Sequence, residues 1–184
     1  EAIVSLQSIQ KLSLLPTFGI GGTLKNYSET KLAEEPYVLQ DLITEMKKTY
    51  EHIILDLSPG LGRLERSALI AVDEVITPMT PEVFSLDGLE IFIAELNKLK
   101  KNLRSNVRHS RIVINSFDER IKQHRDIYDA ACKGTFSVYR IPVDPLFRKA
   151  QEASMPPQLF KSHGKGLKPK TVEAIKALDS AIWR

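Results

Sequence analysis

Residues 53–62 read Ile-Ile-Leu-Asp-Leu-Ser-Pro-Gly-Leu-Gly, an apolar run that ends in a carboxylate and breaks at once into a Pro/Gly-rich turn. A strand covered on both faces reads as a continuous apolar run rather than an alternation. The segment therefore predicts a buried parallel strand over Ile53–Leu57, with Asp56 near its carboxyl end. Ligands of open α/β sheets bind at that end. A solvated turn aspartate is the competing reading of Asp56 from this segment alone.

Strand-like runs alternate with helical patterns along the whole chain. Leu12–Leu15 reads as a strand closed by Pro16 and a loop containing Gly19, Gly21 and Gly22. Pro36 suits a first helical turn, and Val38, Leu39, Leu42, Ile43 and Met46 follow at helical spacing. A helix through Leu64, Leu69 and Val72 comes after residues 53–62, then a short strand at Glu74–Thr77 and a loop marked by Pro78 and Pro81. Leu86, Leu89, Ile93, Leu96 and Leu99 mark the next buried helix face. Strands at Arg111–Asn115 and Ser137–Ile141 bracket a helix at Ile121–Ala131. A short helix over Leu146–Ala153, a Pro/Gly/Lys-rich loop at 155–169 and a closing helix from Pro169 to Trp183 complete the chain. This order predicts an α/β fold in which a mainly parallel sheet is flanked by helices, within a single domain over 1–184.

Composition narrows the class further. With 42% hydrophobic and 27% charged residues, the 184-residue chain has the make-up of a soluble globular domain rather than a disordered one. No apolar run approaches a membrane span, and Cys132 is the only cysteine, which excludes an internal disulfide or a multi-cysteine cluster. His52, His109, His124 and His163 are too scattered to suggest a metal site. The cytoplasm is the expected compartment. A net charge of +3 permits nucleic-acid contact without requiring it.

Several segments in order resemble the ParA family of partition ATPases, within the ParA/MinD group of deviant P-loop NTPases. Asp56-Leu-Ser-Pro-Gly-Leu-Gly62 resembles the family's Walker B strand and turn, with Ser58-Pro59 where a double proline is usual. Ala71–Pro78, Thr80–Leu89, Ile112–Asn115 with Phe117, Asp118 and Arg120, Ile141-Pro142, and Arg148–Ala153 resemble the segments that follow. Leu14-Leu-Pro16 is similar to the strand just upstream of Walker B. The resemblance implies a P-loop NTPase-like three-layer α/β/α fold, here without its N-terminal strands. It implies ATP and Mg²⁺ as ligands, with Asp56 as the Walker B acid near the metal and Gly62 in the turn that responds to the γ-phosphate. Asn115 would meet the adenine edge, and Pro142 would start the loop over the base. Strand-end turn roles compete for both residues. Arg120, Arg148, Lys101 and Arg104 would contribute to non-specific DNA binding by a nucleoid-associated, ATP-bound homodimer with a ParB-like partner; for Lys101 and Arg104 a solvated basic rim favoured by the helix dipole is the competing reading.

One departure is large. A P-loop, Gly-x-x-x-x-Gly-Lys-Ser/Thr, holds phosphate through backbone N–H groups, a Lys and a hydroxyl. The sequence contains none. Gly19-Ile-Gly-Gly22 lacks a following Lys-Ser/Thr, and Gly164-Lys165-Gly166 lacks a preceding strand, so turn and loop roles are expected for them. In the family the phosphate loop lies upstream of the point matched by Glu1, and the chain reads as part of something longer. A naturally truncated, non-hydrolysing DNA- or partner-binding module and a MinD-like positioning ATPase are the alternatives. The closing helix lacks the strongly basic polar face of a membrane-surface helix, so no membrane partner is expected.

Overall fold

The computed structural model describes residues 3–5, 11–16, 22–103 and 105–183. Their contacts divide the chain into two compact units, 1–72 and 73–184.

In the first unit β1 (Val4–Ser5) pairs antiparallel with β2 (Ser13–Leu14). The strand expected at Leu12–Leu15 is thus present at its centre, but in a two-stranded antiparallel pair among the described residues rather than in a parallel sheet. Three helices follow: α1 (Gly22–Glu34), α2 (Val38–Met46) and α3 (Arg63–Ala71). Gly22 opens α1 rather than lying in a loop. The other loop glycines, Gly19 and Gly21, lie outside the described residues. α3 packs against both α1 and α2. The Ser67 hydroxyl donates to the Pro36 carbonyl at 2.8 Å, and Arg63 Nη1 donates to the Glu29 carbonyl. Ser67 to Ala71 are all buried.

Ile53–Leu57 departs from expectation. The segment belongs to no strand, and Ile54 is 75% exposed. A parallel strand exists only through hydrogen bonds to neighbours, and among the described residues none pairs with this one. Its apolar sequence states a preference for burial that local structure alone does not satisfy.

The second unit is built on a parallel sheet of β3 (Glu74–Met79), β4 (Arg108–Phe117) and β5 (Ser137–Pro142), in the order β3-β4-β5. β3 extends past the expected loop start to include Pro78. It is an edge strand among the described residues, where the missing N–H of proline is tolerated. α4 (Val83–Leu103) and α5 (Lys122–Cys132) cover one face. There Ile112 and Ile114 of β4 meet Leu89, Ile127 and Ala131, with Leu86, Ile93 and Val138 packed around them. Successive strand residues point to opposite faces. Arg111 and Val113 accordingly face the other way, and Arg111 Nη2 donates to the Ala181 carbonyl at 2.5 Å. That bond fixes the carboxyl end of α7 (Pro169–Ile182) on the second face, where the helix packs along β5. Within this unit the helix–sheet–helix layering expected from the sequence is present.

Two polar clamps hold the layers. Arg111 also pairs with Glu74, which accepts from Ser110 as well. Burial pushes the Glu74 carboxyl up, but the Ser110 and Arg111 hydrogen bonds outweigh it and leave its pKa below the ordinary value. The second clamp is Asp144, buried at the start of α6 (Pro145–Glu152). One oxygen caps α6 by accepting from Leu146 N at 3.1 Å. The other accepts from Lys168 N at 2.9 Å and the Thr171 hydroxyl at 3.0 Å, at the start of α7. Burial raises the Asp144 pKa, and the donors from Lys168, Leu146 and Thr171 bring it below normal.

Asp144→Ala strands three donors, and each cap or buried hydrogen bond contributes about 1 kcal/mol. The variant is expected to lose about 2–4 kcal/mol of unfolding free energy in urea titration at pH 7. The sign of the pH effect follows from the lowered pKa values of Asp144 and Glu74. Their contribution is complete above the unfolded carboxylate range near pH 4 and fades as pH falls through the folded values. Asp144→Asn is expected to flatten that acid limb in urea midpoints measured from pH 6 to pH 3.

Candidate functional site

Each unit carries part of the expected site. In the first, Asp56 is exposed at the end of the apolar run, and its carboxylate has no hydrogen bond or ion pair among the described residues. The turn after it is closed locally. Gly62 is the N-cap of α3, with extended backbone at φ −66° and ψ −175°. Glu65, three residues on, folds its side chain back over this turn and accepts from the Ser58 hydroxyl at 2.6 Å. A Cβ at Gly62 would lie 2.7 Å from Glu65 Oε2, so glycine leaves the space that this return needs. Ser58, in place of a proline, is therefore a working donor in the turn. The signal for Glu65 was available in the sequence, since an acid at the third helical position commonly reaches back to the cap.

In the second unit the carboxyl ends of β4 and β5 lie side by side. β4 carries an extra residue where its register with β5 shifts between Ile114 and Phe117, and pairing resumes as Phe117 with Pro142. The bulge is Asn115-Ser116. Ser116 has φ 56°, in the left-handed region that non-glycine residues rarely adopt. Asn115 Oδ1 accepts from Ser116 N at 2.9 Å, which stabilises the kink and leaves both amide hydrogens of its exposed side chain as donors. Pro142 ends β5 half-buried, and Val143 N bonds the Phe117 carbonyl at 3.0 Å. The structure brings Asn115 and Pro142 to one edge.

Of the expected cationic residues, Arg120 and Arg148 are matched by acids. Arg120 Nε and Nη2 both donate to Asp118, at 3.0 and 2.6 Å. Those bonds hold the Asp118 carboxyl far below the usual carboxylate range. Arg148 pairs with Glu152 at 3.0 Å, whereas Lys101 is exposed in the last turn of α4. Arg104 lies outside the described residues. Arg140 sits over the Phe117 and Tyr128 rings, with centroids 5.4 and 5.0 Å away, and 3.6 Å from Glu119.

Metal and membrane features are limited. Among the described residues no group of three or more His, Cys, Asp or Glu could hold an ion, and no helix is long and apolar enough to cross a membrane. Asp56 alone fits Mg²⁺ only as the single carboxylate of an ion that takes its remaining ligands from water and phosphate.

A family profile described as an AAA domain matches residues 3–109. An uncharacterized protein of Borreliella burgdorferi is 38% identical over 104 residues, which cover 56% of this chain and 42% of the relative. The chromosome-partitioning ATPase Soj of Treponema pallidum is 29% identical over 89 residues, covering 48% and 35%. The matched region is less than half the length of either relative. A crystal structure of a plasmid partition protein from Borrelia burgdorferi superposes with a TM-score of 0.69 at 22% identity, covering 98% of this chain and 65% of that one. The cell division ATPase MinD of Pyrococcus furiosus gives 0.62 at 21% identity, covering 96% and 70%. At these identities the structures speak to the fold.

The Ser58–Glu65 return generates a testable coupling. Ser58→Ala and Gly62→Ala are each expected to cost about 0.5–1 kcal/mol, through a lost exposed hydrogen bond and a poorer cap. The double variant is expected to fall short of their sum by about 0.5 kcal/mol, because both changes remove the same contact. A thermal-unfolding double-mutant cycle measures this.

Proposed function

Because the chain belongs to the AAA domain family, and within it to the ParA-type partition and positioning ATPases, we propose that it supplies the Walker B and base-side parts of an ATP site in a DNA-partitioning protein. The observation that carries this reading is Asp56, an exposed, unpartnered carboxylate placed directly before a closed Pro/Gly turn. Mg²⁺, when bound with ATP, neutralises charge developing on the phosphates. Asp56 is the residue that would hold that ion. Gly62, in the adjoining turn, senses the γ-phosphate. The free amide hydrogens of Asn115 donate to an acceptor on the adenine edge, and Pro142 packs beside the base.

The complete protein dimerises around ATP, binds DNA without sequence preference and meets a ParB-like partner in the nucleoid-associated cytoplasm. Arg120, Arg148 and Lys101, with Arg104, add backbone phosphate contacts there. Solved relatives support the nucleotide part. One is described as a plasmid partition protein bound to AMPPNP and another as a diamide synthase bound to ADP and magnesium.

The 184 residues contain no Gly-x-x-x-x-Gly-Lys-Ser/Thr loop. Phosphoryl transfer depends almost wholly on positioning and charge stabilisation, and the phosphate-holding donors are the larger share. The 184-residue chain alone is therefore expected to show no phosphate release from ATP above background in a coupled assay. Turnover abolished by Asp56→Ala would overturn that expectation.

A further inference from the structure

The backbone that presents Asn115 is both exposed and strained. Asn115 and Ser116 face solvent, and Ser116 lies at φ 56°. A non-glycine residue keeps left-handed backbone only where its neighbours over-determine it. Those neighbours begin one residue later. Phe117 is buried, and its carbonyl accepts from Val143 N at 3.0 Å. Its ring centroid lies 6.0 Å from that of His124 and 5.7 Å from that of Tyr128, both on α5.

Asp118 is tied at every polar atom. Its carboxylate accepts from Arg120 N, Nε and Nη2, and its carbonyl accepts from Ile121 N at 3.1 Å. Those bonds stay inside residues 118–121. Asp118 N instead donates to His124 Nδ1 at 3.0 Å, which ties the turn to the first turn of α5. The N-cap of that helix, Ile121, makes no side-chain cap bond. A third helical residue commonly reaches back towards the cap, and here an imidazole reaches three residues beyond it. A backbone N–H donates only to an unprotonated ring nitrogen, so this bond leaves Nδ1 bare and places the proton on Nε2. His124 makes no other hydrogen bond or ion pair among the described residues.

We propose that His124 is a positioning residue for the nucleotide base: by pinning Asp118 N, its Nδ1 keeps the Asn115-Ser116 bulge in the shape that presents the Asn115 amide. From Ile114 to Phe117 β4 advances three residues, while β5 advances two from Arg140 to Pro142. With Asp118 released, the extra residue is free to migrate along the strand. Side chains alternate between faces, so such a slip re-aims Asn115. His124 acts through this backbone and not by contact with the base. The inference rests on the base-side role proposed for Asn115 and adds the residue that holds it in place.

Two substitutions separate the acceptor from the ring. Asparagine places Oδ1 as many bonds from Cα as Nδ1, so His124→Asn keeps the acceptor and discards the ring against Phe117. His124→Phe keeps the ring and discards the acceptor. Amide-resolved NMR compares both with the parent 184-residue chain, in hydrogen exchange and in titration with ATP and Mg²⁺. In His124→Phe, exchange of the Asp118 amide is expected to rise about 10-fold, and the ATP dissociation constant read at Asn115 about 5-fold, as for one lost hydrogen bond. His124→Asn is expected to stay within about 2-fold of the parent in both. A long-range proton–nitrogen spectrum of the parent is expected to place the His124 ring proton on Nε2. A proton on Nδ1, or parent-like ATP affinity in His124→Phe, overturns the positioning role and leaves the base site standing. A defective His124→Asn beside a sound His124→Phe assigns the residue to packing and overturns the role as well. Absence of ATP-dependent shifts at Asn115 in the parent overturns the base-side reading itself, and the role with it.

Discussion

The parallel pairing of β4 with strands on both sides is the constraint from which the second unit is built. Ile112 and Ile114 are completely buried, and each main-chain group between them is committed to β3 or β5. A strand in that position fixes which side chains face α4 and α5 and which face α7. It also fixes where the sheet ends. The edge that holds Asn115 and Pro142 is the place where β4 bulges and β5 stops.

Polar groups then lock what hydrophobic burial assembles. Arg111 joins β4 to Glu74 at one end and to the Ala181 carbonyl of α7 on the far face. Asp144 ties the starts of α6 and α7 to one carboxylate. The excursion between those helices is closed at its base by that residue and at its tip by a two-residue turn. The bulged sheet edge and the two-residue turn at His163-Gly164 thus arise in the same unit from separate devices. The edge depends on strand registry, and the turn depends on left-handed backbone at His163 and Gly164.

Much of this was legible in the sequence. Leu86, Leu89, Ile93, Leu96 and Leu99 disclosed α4 because helical spacing is a local property, and β3, β4 and β5 were disclosed by short apolar runs between helices. Ile53–Leu57 misled because a strand is defined by its partners, and an apolar run does not name them. The Asn115-Ser116 bulge was hidden for the same reason, since registry between strands leaves no trace in either one. Asp144-Pro145 was a readable helix start, as an N-cap acid followed by proline. The reach of its second oxygen to Thr171, distant in sequence, was not readable. Arg120 and Arg148 were assigned to DNA binding by resemblance, and their pairing with Asp118 and Glu152 is a matter of rotamers and packing that composition does not reveal.

The central claim is that the carboxyl ends of β4 and β5 receive the base of a nucleotide. An amide-resolved NMR titration of the isotopically labelled chain with ATP and Mg²⁺ addresses it most directly. The account predicts weak, saturable shifts concentrated at Asn115, Ser116 and Val143, with the side-chain amide of Asn115 among the most affected. Shifts confined to other regions, or none at the strand ends at millimolar ATP, would contradict it.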